Sequence, residues 1–345
     1  MNLMVEAVER GLVPQWVTRA CIRRLNRQRL RETAANYAGP RDEAVLRFLS
    51  HMASAPIAVK TDRANDQHYE LPPAFFRQVL GSRLKYSSAY WLPGESSLDR
   101  AEEEMLRRTC ERAEIADGQE ILELGCGWGS LTLWMAACFP QSRIVAVSNS
   151  SLQREYIERR CEVEGLTNVR VLTRNMNDLE LDRSFDRVVS IEMFEHMRNY
   201  QELLRRIATW LRPEGRLFIH IFCHREYAYL FEEEGEHNWM GRHFFSGGMM
   251  PSEDLIAFFA QDLELDRFWK VGGEHYQKTA EAWLRNLDAR RSIIMPLLKE
   301  HYGNRLATRW LERWRVFFMA CAELFGHNGG SEWFVGHYLL KPTEY

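Results

Sequence analysis

Glu120-Ile-Leu-Glu-Leu-Gly-Cys-Gly-Trp-Gly129 passes from a short apolar run into three alternate glycines, and Ser130-Leu-Thr-Leu-Trp-Met-Ala-Ala-Cys-Phe139 carries on with helical spacing. A glycine loop is informative in that setting of strand, turn and helix. Glycine lets a backbone turn sharply and come close to a ligand. The pattern is GxGxG rather than GxGxxG, and Glu123 stands two residues before the first glycine. Dinucleotide enzymes also place an acid near the end of the second strand, where it holds a ribose. Here that position reads Val147-Ser-Asn-Ser150 and holds no acid. The loop therefore points to S-adenosylmethionine rather than NAD.

The pattern around the loop alternates. Arg143–Val147, Val169–Leu172, Phe185–Ile191 and Gly215–His220 read as further strands. Helical stretches separate them at Leu152–Gly165 and from about Glu195 to Leu211, and Leu98–Ala113 precedes the first strand. Alternation of this kind predicts an α/β fold with a doubly wound, mostly parallel sheet. Residues 1–63 read as a helical extension and 64–222 as the Rossmann-like core. Residues 223–345 read as a mainly helical, aromatic-rich cap that returns to the sheet. In the extension, Arg19, Arg23, Arg24, Arg27, Arg29 and Arg31 interleave with Ile22, Leu25 and Leu30. That spacing suits a helix with a solvated basic face, and also one that meets a membrane or partner.

Composition narrows the function. Across 345 residues 46% are hydrophobic, enough for a full core, and the formal net charge of −3 supplies no global field for nucleic acid. The seven cysteines form no CxxC pair, which argues against a zinc or disulfide framework and fits a reducing cytoplasm. The first residues lack a basic segment followed by a long apolar one, so no signal peptide is expected.

Several motifs together resemble the cyclopropane-fatty-acid-synthase-like methyltransferases, and within them the plant coclaurine N-methyltransferase branch. They are Ala64-Asn-Asp-Gln-His-Tyr-Glu70, Leu84-Lys-Tyr-Ser87, Leu124–Ser130, Ser190-Ile-Glu-Met-Phe-Glu-His-Met197, Phe222-Cys-His224, Met250-Pro-Ser252, His275-Tyr276 and Ala322-Glu-Leu-Phe-Gly326. The resemblance covers nearly the whole chain and implies a Rossmann-like, class I S-adenosylmethionine-dependent methyltransferase. It implies that Tyr86 and Ser87 meet the methionine end of the cofactor, and that Glu123, Gly125, Gly127 and Gly129 cradle that end and the ribose. By the same resemblance Asn149, Ser150 and Gln153 approach the ribose and adenine, and Asn175 and Met176 flank the adenine. Relatives commonly carry aspartate at the position of Asn175. No metal is implied, and the product would be S-adenosylhomocysteine.

Glu192, Glu195 and His196 follow the fourth strand on the edge that carries the glycine loop. Two acids and a histidine would also suit a helix start. The chemistry favours catalysis. An alkylamine titrating near about 10.4 must lose a proton before attack, at a cost of roughly 4–5 kcal/mol at pH 7. Carboxylates attract the ammonium, and a histidine can take its proton. Glu195 and His196 are the expected general base and Glu192 the anchor.

The lipid branch of the family implies another acceptor, an unsaturated lipid chain, with a bound bicarbonate taking the proton. Its bicarbonate pocket has a cysteine where this chain has Ser88, and its other positions fall on Glu195, His220 and Tyr276. That branch often has a small residue at the position of Glu192. Both differences favour a small, aromatic amine. A non-catalytic cofactor-binding scaffold is a third reading, against which the acid–histidine cluster speaks. Trp310, Trp314, Phe317, Phe318, Phe325, Trp333 and Phe334 crowd one segment, either as core or as an aromatic wall. His220, Tyr276, Trp314, Phe318 and Trp333 are the expected substrate-facing residues, and Cys321 is read as an inert buried thiol. Membrane contact follows only from the lipid reading, and a homodimer is compatible with the sequence.

Overall fold

The computed structural model describes residues 3–37, 41–60, 71–235, 238–259 and 261–343; the Ala64–Glu70 motif lies outside them. The strands are β1 (Glu120–Leu124), β2 (Arg143–Ser148), β3 (Val169–Thr173), β4 (Phe185–Ile191), β5 (Leu211–His224), β6 (Leu263–Val271) and β7 (Trp333–Pro342). They form one sheet in the order β3-β2-β1-β4-β5-β7-β6. The first five pair in parallel, while β7 lies antiparallel to both β5 and β6. A short ribbon pairs Tyr229–Leu230 with Met249–Met250.

Side chains alternate across a strand, so each strand feeds two cores. Leu122, Leu124, Val145, Val147, Val188, Leu217 and Ile219 are buried on one face. There they meet Leu203, Leu204 and Ile207 of α8 (Tyr200–Trp210). Ile121, Ile144, Val189 and Phe218 face the other way, against α5 (Leu98–Arg112) and α6 (Ser130–Cys138). Each fully buried Leu or Ile contributes roughly 1.5–3 kcal/mol.

Among the described residues α1 (Leu3–Glu9), α2 (Gln15–Asn36), α3 (Arg41–Ala53) and the short α4 (Pro73–Val79) come before α5. The cap is built from α9 (Gly273–Ala289), α10 (Arg291–Tyr302) and α11 (Ala307–Phe325). Arg19 of α2 pairs with Glu281 of α9 and Glu323 of α11, so the extension is tied to the cap. Arg24, Arg27 and Arg31 stay on the exposed side of α2.

The expected helix from about Glu195 starts later. A single 3₁₀ turn holds Phe194–His196, and α8 begins at Tyr200, where the Asn199 side chain accepts from the Glu202 N–H at 3.0 Å. Asn199 satisfies one of the donors that open a helix, and this sets the boundary. The strand β6 lay hidden in a stretch read as helical, because a register shift between Leu265 and Arg267 interrupts its alternation.

Candidate active site

The glycine loop, the Tyr86–Ser87 segment and the turns after β2, β3 and β4 line one cleft. Of the residues expected to meet the cofactor, Tyr86, Ser87, Glu123, Gly125, Gly127, Asn149, Gln153, Asn175 and Met176 line it. Gly129 and Ser150 do not. Gly129, at φ +78°, opens α6, and a Cβ there would stand 2.6 Å from Ile157 Cγ1. It is glycine so that α6 can pack on α7 (Ser151–Glu164). Ser150 caps α7 by accepting from the Gln153 N–H at 3.4 Å. Gly127 differs from Gly129: at φ +51° a Cβ would meet no protein atom within 4 Å, yet it lines the cleft.

The polar lining fits a polar, nucleoside-like ligand. Gln153 Nε2, Trp128 Nε1 and Ser130 Oγ are buried without a hydrogen-bond partner among the described residues. Buried donors left without partners are costly, and a ligand can satisfy them. Glu123 is buried and accepts from Thr132 Oγ1 at 2.5 Å. Burial pushes its carboxyl up to about 8, against the pull of Thr132.

Glu192 closes the inner end of the cleft. Its backbone has φ +47°, an unusual position for a residue with a side chain. That geometry turns the carboxylate toward three donors. Oε1 accepts from the Ser88 N–H at 3.0 Å and from His220 Nε2 at 3.1 Å, and Oε2 accepts from the Tyr276 hydroxyl at 2.6 Å. Burial raises its carboxyl, while Lys85, Ser88, Tyr276 and His196 pull it down.

Lys85 was missed from the sequence, although it adjoins Tyr86 and Ser87 in a quoted motif. It is buried, and its ammonium donates to Ser87 Oγ at 2.5 Å and to the Ser88 carbonyl at 2.8 Å. Burial lowers it to about 8, despite the opposing charges of Glu192 and Glu102. It orders the segment that supplies the Ser88 N–H.

Glu195 is also buried, and its Oε2 meets no hydrogen-bond partner among the described residues. Burial and the charge of Glu192 push its carboxyl far above the ordinary range. Two adjacent carboxyls in such a site share one proton. The three donors around Glu192 leave that proton on Glu195. His196 lines the cleft, with its ring parallel to Phe245 at 5.6 Å, and burial lowers it to about 4. It is neutral at pH 7.

A second cavity lies between α1, α2 and the cap. Tyr276, Phe222, Phe245, Phe317, Cys321 and Phe325 form its apolar wall. Glu9 lines it too; burial raises that carboxyl, but the Arg313 and Trp239 hydrogen bonds outweigh burial and hold it below its usual range. Since Glu192 lines the first space and Tyr276 the second, their hydrogen bond marks the junction between them.

Four of the expected substrate contacts do not line either space. Trp314 and Phe318 are fully buried with Phe75, Phe76 and Trp283, and face neither space. Trp333 lies behind the wall, with Nε1 donating to the Tyr229 hydroxyl at 3.0 Å. His220 is enclosed in the sheet beneath Glu192 and touches the acceptor space only through that carboxylate. Helical spacing in an aromatic segment does not say which face meets the cavity; the turns of α11 that do so carry Phe317, Cys321 and Phe325.

Comparison with known proteins agrees with this geometry. Residues 58–331 match the family model of mycolic acid cyclopropane synthetase. The chain is 35% identical to an (S)-coclaurine N-methyltransferase of Thalictrum flavum subsp. glaucum, over 98% of this chain and 95% of the relative. The crystal structure of a coclaurine N-methyltransferase bound to N-methylheliamine and SAH superposes with a TM-score of 0.93 at 35% identity, over 98% of both chains. The chain is also 29% identical to the cyclopropane-fatty-acyl-phospholipid synthase of Escherichia coli K12, over 78% of this chain and 66% of that protein.

Proposed function

Because the chain belongs to the mycolic acid cyclopropane synthetase family of S-adenosylmethionine-dependent methyltransferases, we propose that it methylates the nitrogen of a small, lipophilic aromatic amine. The observation that carries this reading is the Glu192 carboxylate at the junction of the two spaces, held by Ser88, His220 and Tyr276. Those positions correspond to bicarbonate-binding positions in the lipid branch. Here they converge on a built-in carboxylate, which occupies the place of an anion and offers an ammonium a counter-charge. A carboxylate suits a cationic amine and has nothing to offer an alkene.

S-adenosylmethionine, when bound, supplies a methyl group already activated on a sulfonium. The protein supplies position and proton handling. Tyr86, Ser87, Glu123 and Gly127 hold the methionine side of the cleft, and Asn149, Gln153, Asn175 and Met176 the nucleoside side. The aromatic wall takes up the acceptor's rings, and Glu192 anchors its nitrogen.

The choice of base follows from magnitudes. Moving a proton from an amine near about 10.4 to an imidazole near 4 costs about 8–9 kcal/mol at ~1.36 per pKa unit. Burial and the charge of Glu192 hold Glu195 far above the ordinary carboxyl range, which makes its carboxylate the better acceptor. A bound ammonium brings a positive charge that favours ionising Glu195, so the proton that Glu195 held leaves first and the freed carboxylate then takes the proton of the amine. Neutral His196, next in the chain and bordering the cleft, passes each proton in turn from Glu195 to solvent. No described helix is long and apolar enough to cross a membrane. The scattered, unpaired cysteines suit the reducing cytoplasm, where we propose that the enzyme works.

The test is release of S-adenosylhomocysteine with a panel of isoquinolines and arylalkylamines, beside unsaturated phospholipid vesicles with and without bicarbonate. Turnover on amines that ignores bicarbonate is expected. Turnover on vesicles alone, lost when bicarbonate is removed, would overturn the reading.

A further inference from the structure

Behind Glu192 a chain of side chains crosses the sheet. His220 of β5 faces His337 of β7 directly in the strand register. His337 Nε2 lies 2.9 Å from His220 Nδ1, and His337 Nδ1 lies 2.8 Å from a guanidinium nitrogen of Arg112, the last residue of α5. Both imidazoles have no exposed surface. Arg112 also lies over the ring of Trp269, the β6 neighbour of His337, at 5.3 Å.

The direction of every bond in this chain is determined. A guanidinium can only donate, so His337 Nδ1 must carry a lone pair. Burial keeps both imidazoles neutral, helped by the positive charges of Arg112 and Lys85. A neutral imidazole without a proton on Nδ1 carries it on Nε2. His337 therefore donates to His220 Nδ1, and His220 in turn donates from Nε2 to Glu192. A single assignment satisfies all four groups.

We infer that Arg112 and His337 are positioning residues that act through His220, fixing its tautomer so that Glu192 stays an oriented, ionised anchor for the acceptor amine. This rests on the proposed amine methylation. Without the lone pair demanded by Arg112, His220 could hold its proton on Nδ1 and turn a bare Nε2 toward the carboxylate. Two lone pairs would then oppose each other at the junction. A purely structural role is a poor account of this chain. Two buried imidazoles must be desolvated, and apolar side chains would fill the strand positions without that cost. The other titratable groups that face Glu192 are Lys85, Glu195, His196, Tyr276 and Cys321. None of them touches His220 Nδ1 in the described structure.

Three full-length variants test the relay: His337→Leu, His337→Gln and Arg112→Leu. Glutamine can accept from Arg112 and donate to His220, whereas leucine can do neither. His337→Leu is expected to lower kcat/KM for the amine at pH 7 by roughly 10- to 100-fold, the range for a lost hydrogen bond to a charged group. The acid limb of its pH profile moves to higher pH, because Glu192 loses support for its ionised form. Arg112→Leu moves the same way to a smaller extent. His337→Gln keeps the parental profile, and S-adenosylhomocysteine affinity stays within about threefold in all three. Nitrogen-15 NMR of imidazole-labelled parent enzyme, without amine, is expected to place the proton of both histidines on Nε2 across pH 5–8. A folded His337→Leu enzyme with the parental pH profile, or a His220 proton on Nδ1, overturns the relay. Failure of every amine in the panel would instead sink the proposed function, and the NMR result would still decide the tautomer.

Discussion

The Tyr276 hydroxyl donates to Glu192 Oε2 at 2.6 Å, and this bond stands where the cofactor cleft opens onto the aromatic cavity. Tyr276 also stacks on Phe325 at 4.2 Å, so one side chain holds the anchor and forms part of the wall. Tyr276→Phe should keep the wall and lose the donor. Its kcat/KM should fall about tenfold, as for one hydrogen bond to a charged group. The acid limb of its pH profile should rise, since a carboxylate with fewer donors protonates at higher pH. An unmoved acid limb would show that Tyr276 does not support the ionised form.

Glu192→Gln preserves shape and removes charge. Removing a buried, hydrogen-bonded charge that faces a cationic partner costs about 2–5 kcal/mol. The amine KM should rise and kcat/KM should fall by at least tenfold, with S-adenosylhomocysteine affinity almost unchanged. Glu195→Gln should instead depress kcat with a smaller effect on KM, because it removes the base and leaves the anchor. Steady-state kinetics and calorimetry separate the two patterns.

The loop glycines should separate as well. Gly129→Ala forces a Cβ against Ile157 and should lower the thermal midpoint of the enzyme. Gly127→Ala strains the backbone by about 1 kcal/mol but meets no protein atom. Its loss should appear mainly as weaker cofactor binding. Equal effects of both changes on cofactor affinity would contradict the packing role assigned to Gly129.

Stability of the cofactor-free enzyme should depend on Glu123. Its folded-state carboxyl is raised to about 8 by burial. The folded protein therefore holds a proton that the unfolded chain releases above about 4.5, and stability falls as pH rises from there toward 8. Glu123→Gln should remove this dependence and raise the thermal midpoint at pH 8 relative to the parent. The gain should be small at pH 5. Scanning calorimetry at both values reads it directly, and equal gains at both would rule out the linkage.

Trp314→Ala and Phe245→Ala distinguish core from wall. The first empties a fully buried site and should cost about 3–5 kcal/mol of stability. The second, at the cavity surface beside His196, should act chiefly on the amine KM.

The sequence was legible where one local pattern decides one structure. β1 and β4 fall where alternation and turn residues put them, and the loop glycines carry their own positive φ. The acids after β4 were legible as a cluster but not as individuals. Adjacent letters did not reveal that Glu192 turns back at φ +47° to meet residues far away in the chain, or that Glu195 is left with the shared proton. The relay through His337 and Arg112 depends on a strand register that only the folded sheet sets. Aromatic spacing identified α11 as buried without saying which side touched a ligand.

One consequence concerns the timing of assembly. β7 slots between β5 and the edge strand β6, so a place inside the finished sheet is filled by the last of the seven strands in chain order. The glycine loop and both acids leave the ribosome long before His337. Until β7 docks, β5 presents an unpaired edge and Glu192 lacks the correctly oriented imidazole beneath it. The support that orients Glu192 from below therefore comes from the last of the seven strands in chain order.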